Sequence, residues 1–211
     1  MMFEKIKANK VVLKIAEPIL RFRHRFIYYY FLKTTDRSLL PPLNEKLRFN
    51  IISSWDEFKW KSTRYDETRS KEYRKRFSLG SQYVELYDDK TTICSGWILG
   101  EADKFVITLT EQKVAIGAGT KVLYDFYTNE TFRGKGFYKT TLKFLIEKFK
   151  DYDLIIYTAT INVASSKGIL AAGFTELGTY TRLKSSDLFR DFEKIGIDFK
   201  RSKNKKRIKF N

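Results

Sequence analysis

The clearest hydrophobic pattern lies in residues 121–149, where a strand pattern gives way to a helix pattern. Residues 121–128 are rich in β-branched and aromatic side chains, which predicts a strand. A polar turn follows and ends in Arg133-Gly-Lys-Gly136. The next segment predicts a helix, because one set of residues recurs there at helical spacing: Tyr138, Thr141, Leu142, Leu145, Ile146 and Phe149.

Similar patterns predict the other elements. Ser54 and Glu57 form a capping-box pattern at the start of a helix that runs to about residue 61. The remaining predicted helices cover residues 66–77 and 162–173, and the remaining predicted strands cover residues 48–53, 82–87, 91–99, 105–110, 114–116 and 154–160. The hairpin over residues 105–116 has no place in the predicted order of elements. Mixed strands and helices in this order predict an α/β (α+β) domain.

The glycine turn before the central helix favours anion binding. The first N–H groups of a helix lack an intrahelical partner, and the helix dipole places partial positive charge there. Gly134 and Gly136 would let a phosphate approach the backbone, and Arg133 and Lys135 add full charges. We therefore predict a bound phosphate or pyrophosphate, with a solvated basic turn as the alternative.

A second motif follows the next predicted strand. Asn162-Val-Ala-Ser165 begins a short helix, and Gly173-Phe174 ends it. Together with Arg133-Gly-Lys-Gly-Phe-Tyr138, this motif resembles the GNAT superfamily of acyl-CoA-dependent N-acetyltransferases. The first motif is similar to the R/Q-x-x-G-x-G/A pyrophosphate loop of that family, and the second to its N-x-x-A/S…G-F helix. Two positions depart from the pattern: Tyr138 replaces Gly or Ala, and Ile169 stands where a Tyr often serves as general acid.

The resemblance implies a mixed, mostly antiparallel central sheet flanked by helices. It implies transfer of an acetyl group from acetyl-CoA to a primary amine, without a metal. A backbone N–H near a break in the central strand would polarise the thioester. The residues that the resemblance assigns to acetyl-CoA are Phe126, Tyr127, Thr128, Arg133, Gly134, Lys135, Gly136, Phe137, Tyr138, Asn162 and Ser165.

We predict that the general base lies on the central strand, over residues 121–128. Alternation along a strand places Val122, Tyr124 and Phe126 on one face and Asp125 and Tyr127 on the other. If the first face borders the acceptor pocket, Tyr124 is the nearest proton carrier. Asp125 replaces it if a bulge changes the register.

Charge is concentrated at the two ends of the chain. The net charge is +16, and residues 1–33 contribute +6 while residues 182–211 contribute +7. Residues 3–33 predict one or two basic amphipathic helices, followed by a boundary at Pro41-Pro42. Such a segment lies on an anionic membrane surface, or packs on the domain or on a second subunit of a homodimer. Residues 201–209 predict a solvated, disordered basic tail, for which anionic lipid or nucleic acid is a less favoured partner.

These observations divide the chain into three parts. We predict a basic amphipathic helical extension over residues 1–42, a GNAT-like acyltransferase domain over residues 43–184 and a basic tail over residues 185–211. With one histidine (His24) and one cysteine (Cys94), the chain has little material for a metal site or a catalytic triad. The chain contains no run of about 18 apolar residues, so the sequence predicts no membrane-spanning helix.

Three functions stay open. The first is acetylation of an amine on a nucleotide- or lipid-linked amino sugar in cell-envelope polysaccharide synthesis. It predicts a cytoplasmic location, with peripheral contact to the inner face of the membrane. The second is acetylation of a protein or ribosomal amine. The third is a non-catalytic GNAT-like module that binds an anionic membrane or nucleic acid.

Overall fold

The structure is a computed structural model that describes residues 25–31, 47–61, 66–88, 91–100, 104–107 and 112–181, and four residue pairs between 197 and 210. Its strands are β1 (Arg25–Phe31), β2 (Arg48–Ile52), β3 (Ser81–Tyr87), β4 (Thr92–Leu99), β5 (Lys104–Ile107), β6 (Gln112–Ala115), β7 (Thr120–Thr128), β8 (Asp153–Ala159), β9 (Thr175–Thr181), β10 (Ile197–Asp198), β11 (Arg201–Ser202), β12 (Lys205–Lys206) and β13 (Lys209–Phe210). Its helices are α1 (Trp55–Lys61), α2 (Ser70–Ser78), α3 (Phe137–Lys148) and α4 (Val163–Ala171). Single turns of 3₁₀ helix cover Glu67–Arg69 and Glu130–Phe132.

Seven strands form one sheet in the order β2-β3-β4-β7-β8-β1-β9. Neighbouring strands are antiparallel, except that β7 and β8 are parallel. The hairpin that had no predicted place, β5–β6, forms a separate two-stranded ladder. The sheet is mixed and mostly antiparallel, and helices pack on both faces, which confirms the predicted α/β class with a mostly antiparallel central sheet flanked by helices.

Each face of the sheet carries its own core. Leu142 of α3 and Ile169 of α4 pack with Leu123 of β7 on one face. On the other face, Phe58 of α1 packs with Trp97 of β4 in an aromatic cluster that also contains Ile52, Tyr73 and Tyr83. Buried aromatic rings contribute large apolar areas. The sheet is therefore held between a mainly aliphatic layer and an aromatic layer.

Residues 25–31 form a strand, so the helix predicted over residues 3–33 is wrong for this segment. β1 lies between β8 and β9 inside the sheet. Tyr29 and Phe31 are 1% and 2% exposed in the core under α3 and α4, and Tyr28, at 0%, contacts Tyr157 with ring centroids 5.8 Å apart. A strand buried on both faces needs apolar side chains at every position, which the run of aromatic residues supplies.

The position of β1 changes the predicted division of the chain. β1 belongs to the same sheet as the domain that we predicted to begin at residue 43, so this part of the N-terminal segment is not a separate extension. The boundary at Pro41-Pro42 and residues 3–24 lie outside the described residues. In the C-terminal tail, β10 pairs with β13 and β11 with β12. β11 and β12 lie within residues 201–209, so the disorder predicted there is wrong for these two strands. None of the described helices is long and apolar enough to cross a membrane.

Candidate functional site

The parallel strands β7 and β8 separate part of the way along their length. Pairing joins residues 120–123 to residues 153–156. β7 continues to Thr128 and β8 to Ala159 without further pairing to each other in the described structure. A wedge therefore opens in the middle of the sheet, and the second halves of both strands border it.

A β-bulge lies in β7 where the wedge begins. Tyr124 faces Trp97 of β4, and Tyr127 faces Ser95, so two residues of β7 oppose one residue of β4. Asp125, inside the bulge, has φ = 52°. Asp is one of the few residue types besides Gly that adopts this left-handed conformation with any frequency. Bulges of this kind redirect side chains and are common next to active sites.

The bulge decides which side chains of β7 share a face. Tyr124 packs against the aromatic layer, whereas Phe126 packs with Tyr138 under α3. Our prediction from simple alternation, which placed Tyr124 and Phe126 together, is wrong, and β7 contains the bulge on which the Asp125 alternative depended. Phe126 fits there because Gly96 lies opposite, where a Cβ would come within 2.5 Å of its ring.

The glycine loop before α3 has two glycines in the left-handed conformation with open space beside them. Gly134 and Gly136 have φ values of 76° and 83°, and a Cβ at either position would meet no atom within 4 Å. The loop is therefore open toward the N–H groups of the first turn of α3. The Arg133 side chain braces the loop, since Nε donates to the Thr128 carbonyl at 3.1 Å and Nη1 lies 3.3 Å from Glu130 Oε1.

Tyr138 connects the glycine loop to α4. A Cβ on Gly168 would lie 2.6 Å from Tyr138 Cδ1, so the ring crosses α4 at its glycine. The Tyr138 and Ser165 hydroxyl groups are 3.3 Å apart, and Asn162 Oδ1 accepts the Ser165 N–H at 3.1 Å. Loss of solvent around the hydroxyl raises the pKa of Tyr138, and the hydrogen bond between Tyr138 and Ser165 partly offsets this rise. The structure thus brings three predicted site residues together, namely Tyr138, Asn162 and Ser165. Ile169 is buried, and its side chain cannot donate a proton.

Four charged side chains meet between α2 and the bulge. Arg76 Nη1 lies 2.7 Å from Asp125 Oδ2, and Arg69 Nη2 lies 3.7 Å from the same oxygen. Glu72 forms ion pairs with both arginines. Burial is the largest single influence and lowers the pKa of Arg69, but the hydrogen bonds to Glu72 and the charges of Tyr73, Glu72 and Asp125 together raise it. We call these four residues the α2 cluster.

Two tyrosines border the wedge on the same face as the α2 cluster. The Tyr124 and Ser81 hydroxyl groups are hydrogen-bonded at 2.9 Å. Burial raises the pKa of Tyr124, against the effects of Ser81 and Arg76. Burial also raises the pKa of Tyr157 on β8, and the nearby Tyr124 and Asp125 raise it further. The two strands therefore bring Tyr124, Asp125 and Tyr157 to one place.

Sequence analysis did not predict a role for Tyr157, for Glu72 and Arg76 on α2, or for Arg69 in the 3₁₀ turn before α2. A signal was present, because Arg69, Glu72 and Arg76 are spaced to share one helical face. The sequence around Tyr157 contains no corresponding pattern, since the position of this residue depends on the pairing of β8 with β7 and β1. Among the described residues, no group of three His, Cys, Asp or Glu side chains could hold a metal ion.

Comparisons with known proteins give distant likenesses. No protein-family model and no curated protein matches the chain. A GNAT-family acetyltransferase from Colwellia psychrerythraea is 18% identical with a TM-score of 0.45, over 79% of this chain and 59% of its own. A GCN5-related N-acetyltransferase-like protein from Streptococcus suis 89/1591 is 14% identical with a TM-score of 0.44, over 82% and 66%. A ribosomal-protein-alanine N-acetyltransferase from Brucella melitensis biovar Abortus 2308 is 12% identical with a TM-score of 0.36, over 58% and 88%.

The solved structures named among these matches are mostly GNAT-family acetyltransferases. This chain spans only 59% and 66% of the first two proteins described above. At such low identity, TM-score and overlap, these likenesses carry no argument about activity or acceptor.

Proposed function

We propose that this protein is an acyl-CoA-dependent N-acetyltransferase that transfers the acetyl group of acetyl-CoA to a primary amine. The observation that carries the proposal is the open glycine loop at the N-terminus of α3, together with the wedge at the β7 bulge. The loop suits a diphosphate, and the wedge suits an extended thioester arm. Acetyl-CoA supplies both groups and needs no metal.

The predicted site residues then take the following roles. The N–H groups of Gly134, Lys135, Gly136, Phe137 and Tyr138 bind the diphosphate, with Arg133 bracing the loop. Asn162 and Ser165 lie beside the pantetheine arm, and backbone groups of Phe126, Tyr127 and Thr128 face the thioester carbonyl.

The reaction balances as direct transfer. The amine nitrogen attacks the carbonyl carbon, the C–S bond breaks, and the departing sulfur takes up a proton. Asp125 accepts the proton that the amine loses. Tyr124 keeps its own proton because burial raises its pKa, so it acts only as a relay that donates this proton while it accepts another.

The proposal is tested by adding a Cβ to the loop. Gly136→Ala and Gly134→Ala would place a methyl group where the diphosphate binds. We expect the rise in melting temperature caused by acetyl-CoA in the wild type to disappear in both variants. Thiol release from acetyl-CoA with a panel of amines should fall by at least tenfold.

Gly80→Ala is the matched control. Gly80 has φ = 77° and equally open surroundings, but it lies at the turn between α2 and β3. Each of the three substitutions should cost about 1–2 kcal/mol of backbone strain. Only the loop variants should lose the response to acetyl-CoA. If Gly80→Ala loses the response equally, or if the wild type shows no response, the proposed function is wrong.

The finer predictions concern acceptor, partner and location. For the acceptor we propose a small anionic amine, a class that includes nucleotide- and lipid-linked amino sugars. Acetylation of protein or ribosomal amines, a homodimer, a cytoplasmic location and contact with an anionic membrane stay predictions from the sequence. Sedimentation with anionic liposomes would measure the last of these.

A further inference from the structure

The α2 cluster combines one buried charge with three accessible ones. The side chains of Arg69, Glu72 and Asp125 are 40%, 39% and 47% exposed, whereas that of Arg76 is 10% exposed. Arg76 lies over the rings of Trp97 and Tyr124, at 4.9 Å and 5.3 Å from their centroids. Arg76 therefore fixes the bulge to α2, and the other three side chains can meet a ligand.

The contact between Arg69 and Asp125 is the loosest in the cluster. Their 3.7 Å separation compares with 2.7 Å between Arg76 and Asp125. Arg69 bonds Glu72 through Nε and Nη2. Among the described residues, Nη1 of Arg69 has no hydrogen-bond or ion-pair partner, while the guanidinium lies over the Tyr73 ring, 5.1 Å from its centroid. Arginine presents five N–H donors in a rigid fork that suits carboxylate and phosphate groups, so this side chain has donors to spare.

The cluster is electrically balanced, with two positive and two negative charges. A ligand with a single charge would disturb this balance, whereas a ligand with both an ammonium and an oxyanion would preserve it. Its ammonium would pair with Asp125 and its oxyanion with Arg69. We infer that the α2 cluster is the acceptor subsite and that it selects amines bearing a carboxylate or phosphate a few bonds from the nitrogen.

The position of the cluster agrees with this role, which rests on the proposed function. Asp125 lies in the bulge at the mouth of the wedge, on the face of Tyr124 and Tyr157. The glycine loop and Tyr138 belong to the opposite face, under α3 and α4. An amine held at Asp125 would therefore approach the wedge from one face while the donor enters from the other.

The test compares amines that differ only in the oxyanion. Suitable pairs are serine and ethanolamine, lysine and cadaverine, and glucosamine 6-phosphate and glucosamine, each with acetyl-CoA and the full chain. We expect the wild type to prefer the acidic member of at least one pair by tenfold or more in kcat/KM. The pair that responds distinguishes a carboxylate from a phosphate.

Arg69→Gln should then lower kcat/KM for the acidic amine by at least tenfold, equal to about 1.4 kcal/mol. It should not lower kcat/KM for the amine without the oxyanion, because the remaining charges of the cluster favour an ammonium group. KM for acetyl-CoA should stay unchanged, and Arg69→Lys should restore part of the loss for the acidic amine. Arg74→Gln is the matched control, because Arg74 lies on α2 over the Trp55 ring, away from the cluster. Arg74→Gln should change neither amine.

The outcomes separate the subsite from the proposed function. Equal use of acidic and neutral amines, or an equal effect of Arg69→Gln on both, would overturn the subsite and leave the transferase standing. If no amine releases thiol, calorimetry of the same amines decides. Binding of an acidic amine that is lost in Arg69→Gln would keep the cluster as a binding site for acidic amines and overturn the transferase. Absence of binding would overturn both.

Discussion

At the scale of single residues, Tyr138 and Gly168 depend on each other. Tyr138 occupies the position where the resembling family has a small residue, and its ring lies against Gly168 on the neighbouring helix. The space for the ring exists only because residue 168 has no side chain. The pair joins the start of α3 to the middle of α4, which are the two helices that carry the predicted acetyl-CoA residues.

This dependence predicts that substitutions of the two residues have coupled effects on stability, which a double-mutant cycle measures. Gly168→Ala alone should lower the free energy of unfolding by about 1–3 kcal/mol, because its methyl group displaces the Tyr138 ring. With Tyr138→Ala in the background, the same change should be neutral, or stabilising by up to about 1 kcal/mol, as expected for Gly→Ala in a helix. Urea unfolding of the four proteins measures both values. Equal effects of Gly168→Ala in the two backgrounds would show that the residues do not couple.

Sequence reasoning succeeded at residues whose role is local and failed where it is not. The conformations of Gly134 and Gly136 follow from the short turn between a strand and a helix, so the loop could be predicted. The faces of Tyr124 and Phe126 depend on a bulge whose partner strand, β4, is distant in sequence. Alternation along β7 contains no information about that pairing, which is why Asp125 could only be given as the alternative.

At the scale of secondary-structure elements, β1 shows how context overrides a local pattern. Basic residues precede the aromatic run, and together they suggested an amphipathic helix. The run itself has apolar side chains at consecutive positions, which suits a strand buried on both faces equally well. Residues 25–31 form a strand because their backbone pairs with β8 on one side and with β9 on the other.

Burial of β1 predicts a large effect of one substitution. Tyr29→Ala should lower the free energy of unfolding by about 3–5 kcal/mol, because the ring fills the core under α3 and α4. Tyr30→Ala, at a half-buried position of the same strand, should cost less. Urea unfolding of the two variants measures the difference. A cost below about 1 kcal/mol for Tyr29→Ala would show that this ring is not part of the core.

At the scale of the whole molecule, buried tyrosines link stability to alkaline pH. Burial raises the pKa values of Tyr124, Tyr138 and Tyr157 above the ordinary value near 10. Below that pH both folded and unfolded chains keep these protons, so the three groups add no pH dependence. Above it the unfolded chain loses protons first, and the free energy of unfolding falls as pH rises.

Urea unfolding between about pH 8 and pH 11 should therefore show a loss that begins near pH 10. Each tyrosine contributes up to about 1.4 kcal/mol per pH unit above that point. Tyr157→Phe should make the decline shallower, since it removes one of the three groups. An unchanged slope in that variant would contradict the assignment for Tyr157.

The sequence by itself determined the local elements, the glycine loop and the α/β class, because turns, caps and periodicity depend on residues close together in the chain. Tertiary structure alone decided the place of β1, the bulge at Asp125 and the meeting of Arg69 with that carboxylate. Each of these depends on pairing between strands, or on packing of a helix against a strand, over tens of residues. No local pattern encodes which distant partner completes a buried surface.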